Sequence, residues 1–329
     1  MQIKAIIDII DGKLLNSPSI SFIYSFKTDI NKVKEGDLFI ALNLDDIQLA
    51  VQKGAFAIIT DKIYPIIDNE IAWIKVNDIN IIIIKILRYK LANFNLKAYL
   101  CSDVSYELLK VFSSYEKNAK LILDNLGDFI STIDEVNENT IIFSKDIELL
   151  NKIYPNNNTF EKEQYSVCNL VEHSIFEVSF TYKDTYFSKI KIPSIYIEDF
   201  IRVYDFFNIK EFDDSKLKNF NFFKPIFLDK SLNVVEFGRS NKFIIVQDNS
   251  SLIPKEIEYL INKFSYAKKL FISSKYNNTF KNNEFVLKDI NNLKDFIKDK
   301  NFNALYISGF TYKDVQKVLQ KEENILSLF

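Results

Sequence analysis

Residues Lys27–Asp61 read KTDINKVKEGDLFIALNLDDIQLAVQKGAFAIITD. This stretch is a complete small α/β unit. Val33 to Asp37 is a turn, and Leu38 to Leu42 is a short apolar run suited to a buried strand. Ile47 to Lys53 reads as a short helix, with Gly54 where a helix C-terminus needs a left-handed residue. Ala55 to Thr60 reads as the next strand, closed by Asp61. The whole chain has only six glycines, and two of them stand at the turns of this unit.

The rest of the composition sets limits. The chain has 329 residues, 47% hydrophobic and 26% charged, enough for two or three domains with a sizeable core. Its 42 basic and 44 acidic residues give a net charge of −2, so no field gathers nucleic acid or anionic lipid. Two cysteines, Cys101 and Cys168, make no disulfide framework and fit a reducing cytosol. The N-terminal MQIKAIIDIIDGK lacks the features of a signal peptide. The longest apolar run, Ile79 to Leu91, is interrupted by Asn80, Lys85, Arg88 and Lys90 and is too short and charged to span a bilayer. A cytoplasmic protein without membrane insertion is expected. His173 is the single histidine, which excludes mechanisms that need two imidazoles. Neither G-x-G-x-x-G nor G-x-x-x-x-G-K-[ST] occurs, and neither C-x-x-C nor H-E-x-x-H, so phosphate cradles and common zinc sites are not expected.

Strands and helices alternate along the chain. Met1 to Ile10 and Ile79 to Ala92 read as helices, the second capped by Asn77 or Asp78. Ile20 to Phe26 and Ala72 to Val76 read as strands. Leu96 to Leu100 is a strand, followed by a helix from Val104 to Tyr115 capped by Ser102 or Asp103. Strands follow at Lys120 to Leu123 and Thr140 to Phe143, then a helix from Asp146 to Tyr154. Ile175 to Tyr182 and Thr185 to Ile192 form a hairpin, and Ile197 to Phe207 a helix. Phe223-Lys224-Pro225 reads as a junction. Beyond it, Asn233 to Phe237 and Phe243 to Gln247 read as a hairpin. Helices are expected at Pro254 to Phe264, Ile290 to Asp299 and Tyr312 to Lys321, with strands at Lys269 to Ser273 and Ala304 to Ile307. This alternation implies open, largely parallel sheets.

The opening stretch resembles the N-terminal domain of Mur ligases of the MurF and MurE types. Their signature runs D-S-R-x-V-x-x-G-D-L-F-x-A-L, then G-x-x-x-D-G-H, a helix, and K-G-A-x-A. Asp29, Val33, Gly36-Asp37-Leu38-Phe39, Ala41-Leu42 and Lys53-Gly54-Ala55-Phe56-Ala57 match it. Later segments keep the family's order, the MurF type fitting better. Glu177 to Ile192, Glu198 to Asn208 and Phe220 to Pro225 follow the end of the central domain. Val246 to Pro254 follows I-D-D-S-Y-N-A-N-P, and Leu305 to Phe310 follows V-L-V-K-G-S. The resemblance implies an α/β chain of three Mur ligase-like domains: residues 1–95, a shortened central domain at 96–225, and a Rossmann-like C-terminal domain at 226–329.

The departures fall on the chemistry that the resemblance implies. Mur ligases phosphorylate a UDP-MurNAc-peptide carboxylate with ATP before an amine displaces the phosphate, which needs a P-loop and Mg²⁺. At the expected strand–helix junction this chain reads Leu100-Cys101-Ser102-Asp103-Val104. No glycine or lysine follows the strand, and Asp103 would repel phosphate. The stretch carrying the family's metal carboxylate, histidine and modified lysine is missing, and His173 lies in the wrong place to substitute. The uridine-contacting D-S-R has become Asp29-Ile30-Asn31, and the G-x-x-x-D-G-H loop has collapsed. Thr28, Asp29 and Asn31 remain as candidate substrate-binding groups, beside their plainer reading as turn and cap residues. Asp248 and Ser308 mark the family's C-terminal site positions, although an aspartate such as Asp248 at a strand end is more often a cap for the helix that follows at Pro254.

These losses together point to a MurF-like protein without ligase activity, with no catalytic residue, metal or cofactor expected. Its expected partner is a protein of cell-envelope synthesis, since 17 tyrosines and 30 phenylalanines supply interface anchors. A UDP-linked peptidoglycan precursor is the second candidate ligand, and nucleic acid is not expected. The alternatives are an active ATP-dependent ligase with a rewired site and a precursor sensor.

Overall fold

The computed structural model describes residues 1–122, 126–275 and 284–320. Contacts divide the chain into two compact units, Met1–Glu163 and Gln164–Phe329. The break falls inside the stretch expected to form the central domain.

The first unit begins with α1 (Ile3–Ile10), β1 (Lys13–Leu14) and β2 (Phe26–Lys27). The opening stretch then folds as read, into β3 (Leu38–Ile40), α2 (Ile47–Gln52) and β4 (Ala57–Thr60). With β5 (Ala72–Lys75) they form a sheet ordered β1-β5-β4-β3-β2, parallel except for β1. Every residue of β3 and β4 is buried, as unbroken apolar strands of a parallel sheet must be when both faces are covered. Gly36 and Gly54 have φ of 89° and 83°, and the Gly36 N–H donates to the Gly54 carbonyl at 2.9 Å. The two turns of the unit therefore meet backbone to backbone. The strand expected at Ile20 to Phe26 is limited to its last residue. Before it, Phe22 makes only an isolated bridge to Gln2.

Helix α3 (Ile79–Leu91) is capped by Asp78, which accepts from the Asn80 and Ile81 N–H groups. After it come β6 (Lys97–Leu100), α4 (Asp103–Phe112), β7 (Ala119–Leu121), α5 (Leu126–Ile130), β8 (Ile141–Ser144), α6 (Ile147–Ile153) and β9 (Asn158–Thr159). Their sheet is ordered β7-β8-β6-β9 and is wholly parallel. Leu123, the last residue of one expected strand, lies outside the described residues. One core joins Ile40, Ile59 and Ile74 of the first sheet to Ala98 and Ile142 of the second through Ile82, Ile86 and Leu91 of α3.

The second unit opens with an antiparallel sheet of β10 (Cys168–Ser174), β11 (Glu177–Tyr182) and β12 (Thr185–Ile190), followed by α7 (Ile197–Phe206). The hairpin of β11 and β12 was legible. Strand β10 was not, because every residue of it is exposed and it carries no alternation. Next come β13 (Pro225–Leu228), β14 (Val234–Val235), β15 (Lys242–Gln247), α8 (Ile253–Lys263), β16 (Lys269–Ser273), β17 (Glu284–Val286), α9 (Leu293–Lys298), β18 (Ala304–Ser308) and α10 (Tyr312–Gln320). Lys321, where the last expected helix ends, is outside the described residues.

The sheet order is β14-β13-β15-β18-β16-β17, with β15, β18, β16 and β17 parallel. The expected hairpin of 233–237 with 243–247 does not form. Strand β13 lies between its two arms, pairing antiparallel with both. Pro225 read as a junction, but it opens a strand, where the missing N–H is tolerated. Much of the aromatic content is core: Phe180, Phe187, Phe200, Tyr204 and Phe212 pack ring on ring. Among the described residues no helix is long and apolar enough to cross a membrane.

Candidate functional site

The decisive geometry is the junction of β6 and α4, where the resemblance would place phosphate. Ser102 is the N-cap, its side chain accepting from the Ser105 N–H at 3.2 Å. Its own N–H donates to Glu161 Oε1 at 2.8 Å. Strand β9 explains this contact. It pairs with the end of β6, the Phe160 N–H donates to the Leu100 carbonyl at 2.8 Å, and Glu161 is thereby carried to the start of α4.

The positive end of that helix thus already holds carboxylates, Asp103 in its first turn and Glu161 on the preceding N–H. A phosphate placed there would meet like charge, worth about 4 kcal/mol per pair at 4 Å in an effective dielectric near 20. Cys101, just before the cap, is buried. Burial, and after it the Glu161 charge, push its thiol far up, so it stays protonated and is no nucleophile.

Thr28, Asp29 and Asn31 lie together in the first unit, and their polar atoms bond within the chain. Thr28 Oγ1 donates to the Gly127 carbonyl at 2.8 Å and lies 3.1 Å from Ser131 Oγ. Asp29 caps a short 3-10 turn, Ile30–Lys32, accepting from the Asn31 backbone N–H at 2.9 Å and from Asn31 Nδ2 at 3.2 Å. Lys27 Nζ reaches the Ser131 carbonyl at 3.3 Å.

Asp248 and Ser308 belong to the second unit. Asp248 is exposed just past β15, and Ser308 is buried at the end of β18. Gln247, Ser308 and Ser273 stand in register across β15, β18 and β16. This carboxyl edge of the parallel strands is where open α/β sheets bind ligands. Here it is tied together: Gln247 Oε1 accepts from the Asn249 N–H at 3.0 Å, the Ser308 carbonyl from the Ser274 N–H at 3.1 Å, and Ser273 Oγ donates to Glu284 at 2.5 Å.

Beneath that edge lies a buried carboxylate that sequence reasoning missed. Glu256 of α8 is fully buried and accepts three hydrogen bonds: from the Tyr196 hydroxyl at 2.6 Å, the Tyr306 hydroxyl at 2.6 Å and Gln247 Nε2 at 2.8 Å. Burial pushes its carboxyl up, and the three donors oppose that without reversing it. Both tyrosine hydroxyls are driven far up, first by burial and then by the Glu256 charge, so they remain donors. His173 is exposed on β10, its Nε2 2.7 Å from Ser179 Oγ. Among the described residues no group of three or more His, Cys, Asp or Glu side chains is placed to hold a metal.

No protein-family model matches the chain, and no curated protein matches it. Solved structures do. A MurF from Acinetobacter baumannii aligns over 97% of this chain and 99% of its own, with a TM-score of 0.53 at 10% identity. The UDP-N-acetylmuramoylalanyl-D-glutamyl-2,6-diaminopimelate–D-alanyl-D-alanyl ligase of the same organism covers 97% of each chain, with a TM-score of 0.51 at 10% identity. The MurF ligase of Thermotoga maritima, solved in complex with ADP, covers 90% of this chain and 96% of its own, with a TM-score of 0.51 at 12% identity. Identity this low speaks for the fold alone, and the fold of this chain is the MurF-like Mur ligase fold.

Proposed function

We propose that this chain is a catalytically inactive MurF-like protein, a cytoplasmic binding or scaffold protein linked to peptidoglycan precursor synthesis or cell shape. One observation carries the reading. At the strand–helix junction where a ligase of this fold must hold the β and γ phosphates, the N–H of Ser102 is taken by the Glu161 carboxylate. No glycine lets a backbone approach the phosphates there, and no lysine after the strand neutralises them. A phosphorylated acyl intermediate needs that cradle, so the residues present do not fit ATP and no ligase step is drawn through them. A fold kept over nearly the whole length, with its chemistry replaced, suits a protein selected for binding.

Titration of the full chain with ATP·Mg²⁺ by calorimetry tests the proposal, with no heat of binding expected. Saturable micromolar binding would overturn it.

A further inference from the structure

Lys191, Lys218 and Lys224 come from three separate segments of the second unit. The first stands just past β12, the second in a 3-10 turn at Asp214–Asn219, and the third just before β13. They meet around one cavity of about 220 Å³, smaller than a drug-sized pocket but with room for a single ring on a short arm. Among the described residues no aspartate or glutamate lines it.

The walls are apolar. Leu217, Phe220 and Phe223 are buried, and Phe222 and Phe237 complete them. Phe223 holds a φ of 52°, a left-handed backbone that a bulky side chain seldom takes. The turn it makes lets four consecutive residues, 222–225, face the same space. Backbone strain of this kind persists only where the surrounding structure enforces it, and it gathers at ligand sites.

The lysines bring charge that no carboxylate cancels. None of the three forms an ion pair among the described residues. Lys191 Nζ lies 4.7 Å from the centre of the Phe237 ring. Lys224 Nζ lies 5.1 Å from the centre of the Tyr312 ring, and it donates to the Lys218 carbonyl at 2.6 Å and to Asn221 Oδ1 at 3.3 Å. Lys218 feels the charge of Asp213 from farther off, and Lys216 shares it. A ring or a neutral oxygen satisfies an ammonium group but leaves its charge in place. Burial pulls the half-buried Lys224 amine below its ordinary range, as it must for a cation set against apolar walls with no carboxylate beside it. Three positive charges over an apolar floor complement a molecule that is apolar at one end and singly negative at the other. Phosphate would gain the charge contacts and nothing from the walls, and lysine offers it no planar fork.

We propose that this cavity binds a small monocarboxylate with an apolar body, its carboxylate on Lys191, Lys218 and Lys224 and its body against the phenylalanines. The site uses no residue of the β6–α4 junction, so its test stands apart from the ATP titration.

The test compares 3-phenylpropionate with 3-phenylpropan-1-ol, its neutral counterpart, by ligand-observed NMR on the full chain. The carboxylate is expected to bind at least tenfold more tightly than the alcohol, and inorganic phosphate at equal concentration should not displace it. Lys191→Gln and Lys218→Gln should each weaken the carboxylate at least threefold, with unfolding midpoints unchanged because both side chains are exposed. Lys230→Gln, an exposed lysine outside the cavity, should leave the affinity as it is. No binding of the carboxylate, equal affinity for the alcohol, displacement by phosphate, unchanged affinity in either cavity variant, or an equal loss in Lys230→Gln would each overturn the assignment.

Discussion

Glu256 concentrates the residue-scale physics of the second unit. A carboxyl whose folded-state pKa lies above its unfolded value binds more protons when folded. Its contribution to stability is complete below the ordinary carboxylate range and is lost as pH rises through the folded value. Burial raises Glu256 in this sense. Glu256→Gln should therefore flatten the fall in stability above the ordinary carboxylate range. An amide fits, because the Tyr306 hydroxyl can accept from it while Tyr196 and Gln247 still donate to its oxygen. Urea midpoints between pH 5 and 8 check this, and equal slopes in both proteins would refute it. Glu256→Leu should cost about 3 kcal/mol or more, since it leaves three buried donors unpaired. None of this was legible in Pro254-Lys255-Glu256-Ile257, which reads as an ordinary amphipathic helix start. The burial comes from Tyr196 and Tyr306, both distant in sequence. Asp29 is the opposite case, since its role as a cap could be read locally. Asp29→Ala should cost about 1 kcal/mol, measured by the same denaturation.

At the scale of elements, the pair of turns in the opening stretch carries the sharpest expectation. A Cβ on Gly54 would stand 3.2 Å from the backbone Cα of Glu35, at a φ of +83°. The neighbour is main chain, held by the hydrogen bond between Gly36 and Gly54, and cannot move aside cheaply. Gly54→Ala should destabilise by about 1–3 kcal/mol through left-handed strain and crowding. Gly238→Ala, also at positive φ but with nothing near its Cβ, should cost only the strain, about 1 kcal/mol. Thermal melts of the two variants measure the difference, and equal losses would mean that the contact of the turns is unimportant. Elements with strong local patterns were legible, as in β3, β4 and α3. Those defined by distant partners were not. Strand β13 is a strand because β14 and β15 flank it, and β10 because it edges β11. That no glycine or lysine follows the strand at β6–α4 could be read from residue types alone. The Glu161 contact could not, since it spans 59 positions and depends on β9 pairing with β6.

Across the whole molecule, fold and chemistry separate. The Mur ligase fold rests on glycine turns and apolar strands, which persist here at 10–12% identity to the solved ligases. The proposal that ligase chemistry is lost rests on other residues, those of the β6–α4 junction, where no glycine or lysine follows the strand. Removing Glu161 separates two explanations for a failure to bind ATP. If its carboxylate merely blocks an intact site, Glu161→Gln should restore binding. If the cradle itself is gone, the variant should stay silent, because the junction still has no glycine, no lysine after the strand, and Asp103 in its first helical turn. The second outcome is expected. Linkage makes it measurable, since a ligand at about 100 times its Kd stabilises by about 2.7 kcal/mol. With each unit near the size where 1 kcal/mol moves the midpoint by about 2–4 °C, a functional site would raise the melting temperature by several degrees in millimolar ATP·Mg²⁺. Neither the wild-type chain nor Glu161→Gln should shift. A shift confined to the variant would make Glu161 a plug on a working nucleotide site, and one in the wild type would return the chain to the active ligases.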